Sequence, residues 1–384
     1  MQVFFDDQIF HRQKIGGISR YICNLAEALA KTGRIKVTLF GGWSQNMLLR
    51  ELSPNPNLRV IHFLRRDNLK IKSLATSLSG FWRHRAFERA LKWDSNIIYH
   101  PTYFQLDNSI HKRAGATVVT FHDMISEVFM GENQRHEQHR AKKLKAAQKA
   151  HQLIAISNST KRDMYQFYPF IKEEINVVYH GSSLRCLENS CSRSVALHPQ
   201  HYFLFIGNRR GYKNGLAVIR AFALLIKDFP ELKLLFCGGE VGPNNKEQSL
   251  IEQHQIADQV CYISADDSTL IKYLRNATAL LYPSLYEGFG LPILEAMQNG
   301  CPVITTQLSS LPEVAGQAGI YIDPNSPEDI ALAMKRMLLQ PDERKNYIEN
   351  GFRQAQKFSL AKTAENTLAV YEKALEPTHK QVSI

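Results

Sequence analysis

The stretch "ALLYPSLYEGFGLPILEA" occupies residues 279–296 and contains two glutamates, Glu287 and Glu295, eight positions apart. The apolar run at its start predicts a buried strand, and the run around Pro292 predicts a helix, because proline suits the first helical turn. Between them, residues 288–290 read Gly-Phe-Gly, which predicts a tight turn. The stretch is therefore expected to be a strand–turn–helix unit with one glutamate on the turn and one in the helix.

The backbone groups at the start of this helix suit an anion. The N–H groups of Phe289, Gly290 and Leu291 lie at the expected helix N-terminus, where the helix dipole favours negative charge. Two carboxylates beside that point are unsuited to holding an anion alone. They suit an anion that carries a sugar, because carboxylates accept hydrogen bonds from sugar hydroxyls. The stretch thus predicts a site for a sugar linked to a diphosphate.

Strand-like and helix-like runs alternate along the rest of the chain, as is typical of parallel α/β architecture. The predicted strands cover residues 2–7, 36–42, 59–64, 96–100, 117–123, 153–159, 175–181, 202–207, 232–239, 260–264, 279–284, 302–306 and 319–324. We expect an α/β fold of two doubly wound, Rossmann-like domains that face each other across a cleft. The expected boundaries are 1–185 for the N-terminal domain, 186–200 for a serine-rich linker, 201–357 for the C-terminal domain and 358–384 for a terminal helical segment.

The composition excludes several classes of protein. The 384 residues have the apolar, charged, Gly and Pro content of a soluble globular protein. No apolar run is long enough to span a membrane, and the N-terminus lacks the charge order of a signal peptide. Six cysteines form no CxxC pair and no metal-binding spacing, which fits reduced thiols. We therefore expect a cytoplasmic protein without a metal site.

The formal net charge of +11 is concentrated in one half of the chain. Residues 1–190 contain 28 Lys and Arg against 16 Asp and Glu, whereas residues 191–384 contain 19 against 20. The basic stretches 65–92 and 134–151 are either solvated helix faces or a surface that meets an anionic membrane or a phosphorylated partner. A nucleic-acid-binding protein is a second interpretation of the charge. It has little support, because Phe81 and Trp82 are few aromatic rings for the first basic stretch and the second stretch contains no Phe, Trp or Tyr.

Three further strand ends hold residues suited to a ligand. Gly16 and Gly17 precede a predicted helix and allow a close approach by a phosphate or a sugar, although a simple turn is the more common reason for such a pair. No GxGxxG and no P-loop pattern occurs, so neither a nicotinamide dinucleotide site nor an ATPase is predicted. His122 and Asp123 end another strand, where the histidine belongs to the core or to a site.

The third strand end is the segment "GNRRGYKN", residues 207–214, which contains Arg209, Arg210 and Lys213. Cations at a strand end suit a leaving diphosphate, although a solvated basic turn has the same composition.

Taken in order, these segments resemble glycosyltransferase family 4, retaining enzymes of the GT-B fold. The resemblance rests on "YEGFGLPILEA" with its E-x7-E spacing and on "GGISRY", "FHD", "ISNSTKRDM", "VYHGS", "GNRRGYKN" and "PVITT". It covers nearly the whole chain, is strongest at 202–325 and is weakest at 43–95. In GT-B enzymes the last helix crosses back onto the first domain, and the resemblance implies the same for residues 358–384.

The resemblance implies a set of site residues. The implied catalytic residues are Glu287, Arg209, Lys213 and His122. The implied donor-binding residues are Glu295, Gly288, Phe289, Gly290, Leu291, Gly16 and Gly17. The implied acceptor-side residues are Arg20 and Asp123. Glu295 would hold the ribose, Glu287 and His122 the transferred sugar, and the cations the departing diphosphate. Many members have an arginine directly before the lysine, where this chain has Tyr212, so the resemblance to members with a GYKN turn assigns that role to Arg209, with Arg210 as the alternative.

The resemblance also implies the reaction. A hexose, with mannose as the first candidate and GDP-mannose as its donor, would be moved to a lipid-linked or oligosaccharide acceptor in cell-surface polysaccharide assembly. No cofactor is expected beyond the nucleotide-sugar co-substrate, no metal is expected because Lys and Arg can replace it, and no nucleic acid is expected as a partner. The protein would act in the cytoplasm, with peripheral contact at the inner membrane face. A sugar-nucleotide epimerase of similar fold and a non-catalytic sugar-binding relative are the alternatives.

Overall fold

The computed structural model describes residues 1–64, 72–91, 96–129, 134–184 and 201–376. The chain divides into two compact units. Unit 1 comprises Met1–Gly181 and Ser359–Ile384, and unit 2 comprises Ser182–Phe358. The predicted linker at 186–200 lies outside the described residues.

Unit 1 contains a parallel sheet of seven strands. They are β1 (Gln2–Phe5), β2 (Lys36–Ser44), β3 (Leu58–Leu64), β4 (Ile97–His100), β5 (Ala116–Phe121), β6 (Gln152–Ala155) and β7 (Asn176–Val177). Their order across the sheet is β3-β2-β1-β4-β5-β6-β7, and every described pair is parallel. Because the order reverses direction at β1, ligands are expected beyond the carboxyl ends of β1 and β4.

The helices of unit 1 connect these strands. They are α1 (Gln8–Arg12), α2 (Gly17–Lys31), α3 (Lys72–Leu91), α4 (Asn108–Arg113), α5 (Ile125–Val128), α6 (Gln134–Lys149) and α7 (Asn158–Phe167), with a 3-10 turn at Leu48–Arg50. Helix α2 packs on the sheet through Ile22, Leu25 and Leu29, which are completely buried. Burial of each such side chain stabilises the fold by about 1.5–3 kcal/mol.

Unit 2 contains a parallel sheet of six strands. They are β8 (Tyr202–Ile206), β9 (Lys233–Cys237), β10 (Val260–Ile263), β11 (Ala279–Tyr282), β12 (Val303–Thr305) and β13 (Gly319–Tyr321), in the order β10-β9-β8-β11-β12-β13. The helices are α8 (Gly215–Leu225), α9 (Asn245–His254), α10 (Asp267–Asn276), α11 (Leu291–Gln298), α12 (Leu311–Ala315), α13 (Pro327–Leu339) and α14 (Pro341–Ala355), with 3-10 turns at Gly211–Lys213 and Gly316–Ala318. The order again reverses at the first strand of the unit, β8.

The last described helix, α15 (Leu360–Leu375), belongs to unit 1. It packs against α2, β5 and β6, and its buried face contains Ala364, Leu368 and Tyr371. The Tyr371 hydroxyl lies 2.6 Å from Nδ1 of His100 at the end of β4. The terminal helix therefore completes the core of the N-terminal sheet.

The predicted α/β class and the two Rossmann-like sheets are confirmed, and a strand overlaps each of the thirteen predicted runs. Ten of the thirteen strands end earlier than predicted at their carboxyl ends. The first run was expected to reach Asp7, but β1 ends at Phe5 because Asp6 turns inward. The buried Asp6 carboxylate accepts hydrogen bonds from the Thr102 N–H and hydroxyl and from the Tyr99 hydroxyl.

Candidate active site

In unit 2, the turn that carries Glu287 is held by two serines from the neighbouring strand end. The Glu287 N–H donates to Oγ of Ser309, at 2.8 Å, and the Ser309 hydroxyl lies 2.9 Å from the Glu287 carbonyl oxygen. The Ser310 hydroxyl lies 2.9 Å from the carbonyl oxygens of both Glu287 and Phe289. Because β11 and β12 are adjacent and parallel, the segments that follow them meet at the same edge of the sheet. The backbone of the turn is therefore fixed by the sheet.

Gly290 ends this turn and is the N-cap of α11, with φ of 109°. This is the left-handed region, which glycine adopts without strain. A Cβ at Gly290 would also come within 3.1 Å of Leu311 Cδ2. At this helix start Pro292 has no N–H and the Ile293 N–H donates to the Gly290 carbonyl oxygen at 3.0 Å, so the N–H groups of Gly290 and Leu291 are the ones left for a ligand. The side chain of Phe289 is buried beside Phe358, so it belongs to the core rather than to the ligand side of the turn.

Glu295 lies in the second turn of α11, as predicted, and is buried. Its Oε1 accepts a hydrogen bond from the Ser182 hydroxyl at 3.3 Å. A buried carboxylate that accepts from a hydroxyl has the chemistry to accept from a sugar hydroxyl in the same way.

Lys213 and Glu287 form an ion pair with Nζ 2.5 Å from Oε1. The same Nζ donates to the Tyr282 hydroxyl at 3.0 Å, at the end of β11. Burial, together with the negative charge and hydrogen bonding of Glu287, raises the pKa of Tyr282 far above its ordinary value, so the phenol stays protonated. The sequence analysis identified Lys213 and Glu287 but missed Tyr282, although its place at the end of a strand that precedes the turn was a usable signal.

Arg209 is held inside unit 2. Its Nε donates to Glu247 at 3.0 Å, and its terminal nitrogens donate to the carbonyl oxygens of Gly238, Glu240 and Gly242. The side chains of Arg209 and Glu247 are only 3% and 1% exposed. In this arrangement the guanidinium positions the segment after β9. A contact with a diphosphate would require it to leave these partners, and that role stays a prediction.

Arg210, the alternative to Arg209, lies on the surface in an ion pair with Glu240. A cavity of about 730 Å³ opens beside these residues. Its lining comprises Arg209, Arg210, Gly211, Asn214, Gly215, Leu216, Glu240, Pro243, Asn244, Asn245 and Lys246. The two glutamates of the opening stretch do not line it, so this cavity is separate from the turn that holds Glu287.

In unit 1, the predicted glycine pair begins α2, with Gly16 as its N-cap. A Cβ built at Gly17 meets no atom within 4 Å, so the backbone is open to a close approach. The Gln13 side chain, which the sequence analysis missed, accepts a hydrogen bond from the Ser19 N–H at 3.0 Å. An amide oxygen thus occupies part of the position predicted for a phosphate oxygen.

His122 follows β5 and is buried against the edge of the Tyr21 ring, with centroids 5.2 Å apart. Tyr21 also stacks on His180 at 4.1 Å, which places two histidines around one tyrosine. Burial lowers the pKa of His122 to about 4, so its ring is neutral at pH 7. Its Nδ1 is buried and has no hydrogen-bond partner within the described residues. Such a nitrogen is costly unless a ligand bonds to it.

Asp123 is paired with the fully buried Lys143, whose Nζ lies 3.2 Å from Asp123 Oδ1 and 2.9 Å from Glu127 Oε2. Burial alone would raise the Asp123 pKa, but the charge and hydrogen bond of Lys143 together with the hydrogen bond from the Ile125 N–H outweigh it and hold that pKa below the usual value. Arg20 lies on α2 and is half-buried. The assignment of Arg20 and Asp123 to an acceptor stays a prediction.

Metal-binding clusters and membrane-spanning helices are both absent from the described residues. Within the described ranges, no group of three His, Cys, Asp or Glu side chains is placed to hold a metal ion. None of the helices described here combines the length and apolarity that crossing a bilayer requires.

Comparison with known families gives two matches along the chain. The family described as Glycosyltransferase Family 4 matches residues 15–184, and the family described as Glycosyl transferases group 1 matches residues 192–354. These two ranges correspond to the two sheets and together cover most of the chain.

Individual proteins agree with these matches. The O-antigen chain mannosyltransferase B of Escherichia coli is 27% identical, over 93% of this chain and 96% of that protein. The MMP alpha-(1->4)-mannosyltransferase of Mycolicibacterium hassiacum is 29% identical, over 60% of this chain and 56% of that protein. The crystal structure of Anabaena HepE in complex with UDP and glucose shares the fold, with a TM-score of 0.69 at 17% identity, over 97% of this chain and 99% of that one. The chain belongs to glycosyltransferase family 4 and has the GT-B-like pair of Rossmann-like units.

Proposed function

We propose that this glycosyltransferase moves a hexose, with mannose as the first candidate, from a nucleoside-diphosphate sugar to a lipid-linked cell-surface glycan. The proposal depends above all on one observation: Lys213, Glu287 and the start of α11 lie at the carboxyl edge of one sheet. Cation, carboxylate and helix N-terminus are the groups that a sugar diphosphate requires. The two mannosyltransferases that resemble the chain support mannose, and GDP-mannose is the corresponding first choice of donor.

Each donor group has a proposed partner in unit 2. Glu295 accepts hydrogen bonds from the ribose hydroxyls, replacing the one that it accepts from Ser182. Glu287 accepts from a hydroxyl of the transferred sugar, and the first N–H groups of α11 bind the diphosphate. Lys213 exchanges part of its bond to Glu287 for a bond to a phosphate oxygen, while the Tyr282 hydroxyl keeps its ammonium group in position.

Lys213 acts on the leaving group. Negative charge grows on the diphosphate as the glycosidic bond breaks, so an ammonium already fixed beside it stabilises the transition state more than the bound donor. Since this cation supplies the compensating charge, we propose that transfer proceeds without a metal.

We propose retention of the anomeric configuration by a front-face route. A double-displacement scheme needs a carboxylate nucleophile and an acid about 5 Å apart across the reacting bond. Glu287 is already neutralised by Lys213, and Glu295 is buried in the helix beside Ser182, so neither is poised as a nucleophile. In the proposed route the acceptor hydroxyl attacks from the side that the diphosphate leaves, and a diphosphate oxygen takes its proton.

A lipid-linked acceptor requires contact with a membrane, which we place at α3, at the cytoplasmic face. Phe81 and Trp82 are 55% and 39% exposed there, and the Arg85 guanidinium lies 5.4 Å from the centre of the Phe81 ring. Exposed aromatic rings beside cations suit an anionic lipid surface. Arg83, which lies in the same basic stretch as Arg85 and Arg89, is different: it is half-buried and paired with Asp7 at 2.8 Å.

The proposal is tested by thermal unfolding of the full chain with GDP, UDP, ADP and NAD, each without and with a divalent metal. One nucleoside diphosphate is expected to stabilise the protein without metal, by about 2.7 kcal/mol at one hundred times its Kd. Glu295→Ala should abolish that stabilisation, whereas Glu252→Ala, an exposed glutamate on α9, should leave it intact.

The matching nucleoside-diphosphate hexose should then transfer its sugar to a glycan acceptor with the anomeric configuration retained, as read by NMR of the product. Stabilisation by NAD alone, or by no nucleotide, would refute the donor site. Conversion of the donor into its epimer without transfer would identify an epimerase instead.

A further inference from the structure

Unit 1 contains a cavity of about 440 Å³ that none of the donor contacts uses. It lies at the carboxyl edge of the sheet, where α1 follows β1, Tyr103 follows β4 and Asp123 follows β5. The side chains that line it are those of Arg12, Tyr103, Asp123, Ile125, Ser126, His136, Gln138, His139 and Lys142. Eight of these nine residues carry a polar or charged group, beside apolar surface from their rings and side-chain stems, so the cavity suits a hydrophilic ligand such as a sugar.

One wall of the cavity is cationic. Arg12 and Lys142 line it, and neither forms an ion pair with any carboxylate in the described ranges. The Arg12 guanidinium lies 4.6 Å from the centre of the Tyr103 ring. The Tyr103 hydroxyl in turn lies 2.8 Å from Nε2 of His139. The Arg12 guanidinium therefore lies against the Tyr103 ring, which His139 holds in place through the Tyr103 hydroxyl. The N–H donors of Arg12 line the cavity.

The opposite wall contains one carboxylate, that of Asp123, and Lys143 holds it in position. Lys143 is fully buried and donates to the Asp123 carboxylate and carbonyl, to Ser126 and to Glu127. In and around the cavity, the three cations Arg12, Lys142 and Lys143 outnumber the two carboxylates of Asp123 and Glu127. Asp123 is 26% exposed and keeps an accepting oxygen toward the cavity side.

A further polar atom has no protein partner. The buried Nδ1 of His136, which lines the cavity, has no hydrogen-bond partner among the described residues. An unpaired buried nitrogen indicates that a partner from outside the protein completes the site.

We propose that this cavity binds the phosphate-bearing sugar of the acceptor. Arg12 and Lys142 bind the phosphate, and Asp123 accepts a hydrogen bond from a sugar hydroxyl. The inference depends on the proposed function, because it specifies the acceptor of that reaction as a phosphorylated sugar. Two sources share this chemistry, a soluble sugar phosphate and a lipid-linked sugar diphosphate.

Calorimetric titration tests the inference on the full chain, with the donor site first saturated by the nucleoside diphosphate that binds it. Saturation prevents phosphate from binding at Lys213. The soluble probes are glucose 1-phosphate and glucose 6-phosphate, with glucose as the uncharged comparison. The lipid probe is phosphatidylcholine vesicles that carry a polyprenyl diphosphate-linked glucose, compared with pure phosphatidylcholine vesicles.

The variants Arg12→Gln and Lys142→Gln are each expected to weaken binding of the phosphorylated probe by about tenfold or more, which corresponds to about 1.4 kcal/mol. Lys145→Gln is the matched control, because Lys145 is exposed on the same helix, α6, and does not line the cavity. Retained nucleotide binding in each variant shows that the chain is folded.

Binding of either phosphorylated probe, with glucose not bound, supports the inference and identifies the source of the phosphate. Absence of binding by both probes, equal binding of glucose, or unchanged affinity in Arg12→Gln and Lys142→Gln would overturn it. If no nucleoside diphosphate binds at all, the donor proposal fails, and the probes are then titrated into the free protein. If a nucleotide binds and the phosphorylated probes do not, the cavity inference alone fails.

Discussion

The two sheets share a parallel order that reverses at their first strand, yet the segments after their strands carry different chemistry. In unit 2 the edge presents charged groups, the Lys213–Glu287 pair and Glu295. In unit 1 the corresponding edge buries histidines, and burial lowers the pKa of His100 to about 3 and of His122 to about 4, so both are uncharged at pH 7. The comparison shows that the shared fold only places side chains at the carboxyl edge of each sheet. The identity of the residues after each strand decides whether that edge suits a charged or an uncharged part of a ligand.

The two units also share a structural feature, a buried cation paired with a buried carboxylate. Each buries one cation that fixes the segment after a strand, Lys143 in unit 1 and Arg209 in unit 2. Lys143 holds the segment after β5 through Asp123 and Ser126, and Arg209 holds the segment after β9 through backbone carbonyls. In both cases the cation is screened from ligands by its own protein partners.

The largest expected effects come from breaking these two buried pairs. Arg209→Met leaves the buried Glu247 carboxylate without its compensating cation, and Lys143→Met does the same to the buried Glu127, so each should lower the free energy of unfolding by about 3–5 kcal/mol. Unit 2 contains no tryptophan, because Trp43, Trp82 and Trp93 all lie in the range of unit 1. Tryptophan fluorescence in urea therefore reports unit 1, and circular dichroism reports both.

Arg210→Met is the control for Arg209, since its surface pair with Glu240 is worth only about 0–1 kcal/mol. If Arg209→Met leaves stability unchanged but lowers kcat, then Arg209 serves the diphosphate and the parallel between the two buried cations is wrong.

Lys213→Ala should lower kcat by about 10²–10³-fold, because it removes a charge that the leaving diphosphate needs. Steady-state transfer with the donor identified by the nucleotide panel measures it. Lys272→Ala, an exposed lysine on α10, is the control and should keep the wild-type kcat. A wild-type kcat in Lys213→Ala would show that the charged edge of unit 2 is not where the reaction occurs.

The histidines make unit 1 the more acid-sensitive of the two. An unfolded histidine takes up its proton near pH 6.5, whereas folded His122, with its pKa at about 4, does so only at lower pH. Below pH 6.5 the unfolded state therefore binds more protons, and unit 1 should lose stability progressively as the pH falls toward 4. The loss from His122 alone amounts to about 3 kcal/mol.

Urea unfolding between pH 7 and pH 4.5 measures this dependence, with tryptophan fluorescence reporting unit 1 and circular dichroism reporting both units. His122→Gln should remove the contribution of His122 and leave that of His100, whatever its effect on stability at pH 7. The described histidines of unit 2, His201 and His254, are exposed, so its transition should shift less. An equal shift in both units would contradict the comparison.

The smallest expected effect concerns the membrane. The double variant Arg85→Gln/Arg89→Gln should weaken binding to anionic vesicles by about 1 kcal/mol for each charge, because both side chains are exposed on α3. Vesicle sedimentation measures it, and Lys31→Gln/Lys36→Gln makes the same change of charge elsewhere on unit 1. If both double variants bind equally well, α3 is not the contact surface. Arg83 is not substituted because its loss would remove an ion pair from the buried carboxylate of Asp7.

Much of the site could be read from patterns that act over short distances. The periodicity of apolar residues located all thirteen strands, and the Gly-Phe-Gly turn before Pro292 placed Glu287 on the turn and Glu295 in the helix. Most strand ends were placed too late, as at Asp6, because the side chain that ends β1 bonds to residues about 95 positions away. Propensity carries no information about such partners.

The sequence by itself determined the fold class, the family and the turn that carries the two glutamates, because these follow from local backbone preferences and from the order of motifs along the chain. Only the tertiary structure decided which charged groups are available. It committed Arg209 to Glu247 and to three carbonyl oxygens, paired Lys213 with Glu287 under the Tyr282 hydroxyl, and brought Arg12 and Lys142 to one cavity. The reason is physical: the charge that a group offers a ligand depends on burial and on partners distant in sequence, which are set only when the strands are placed side by side.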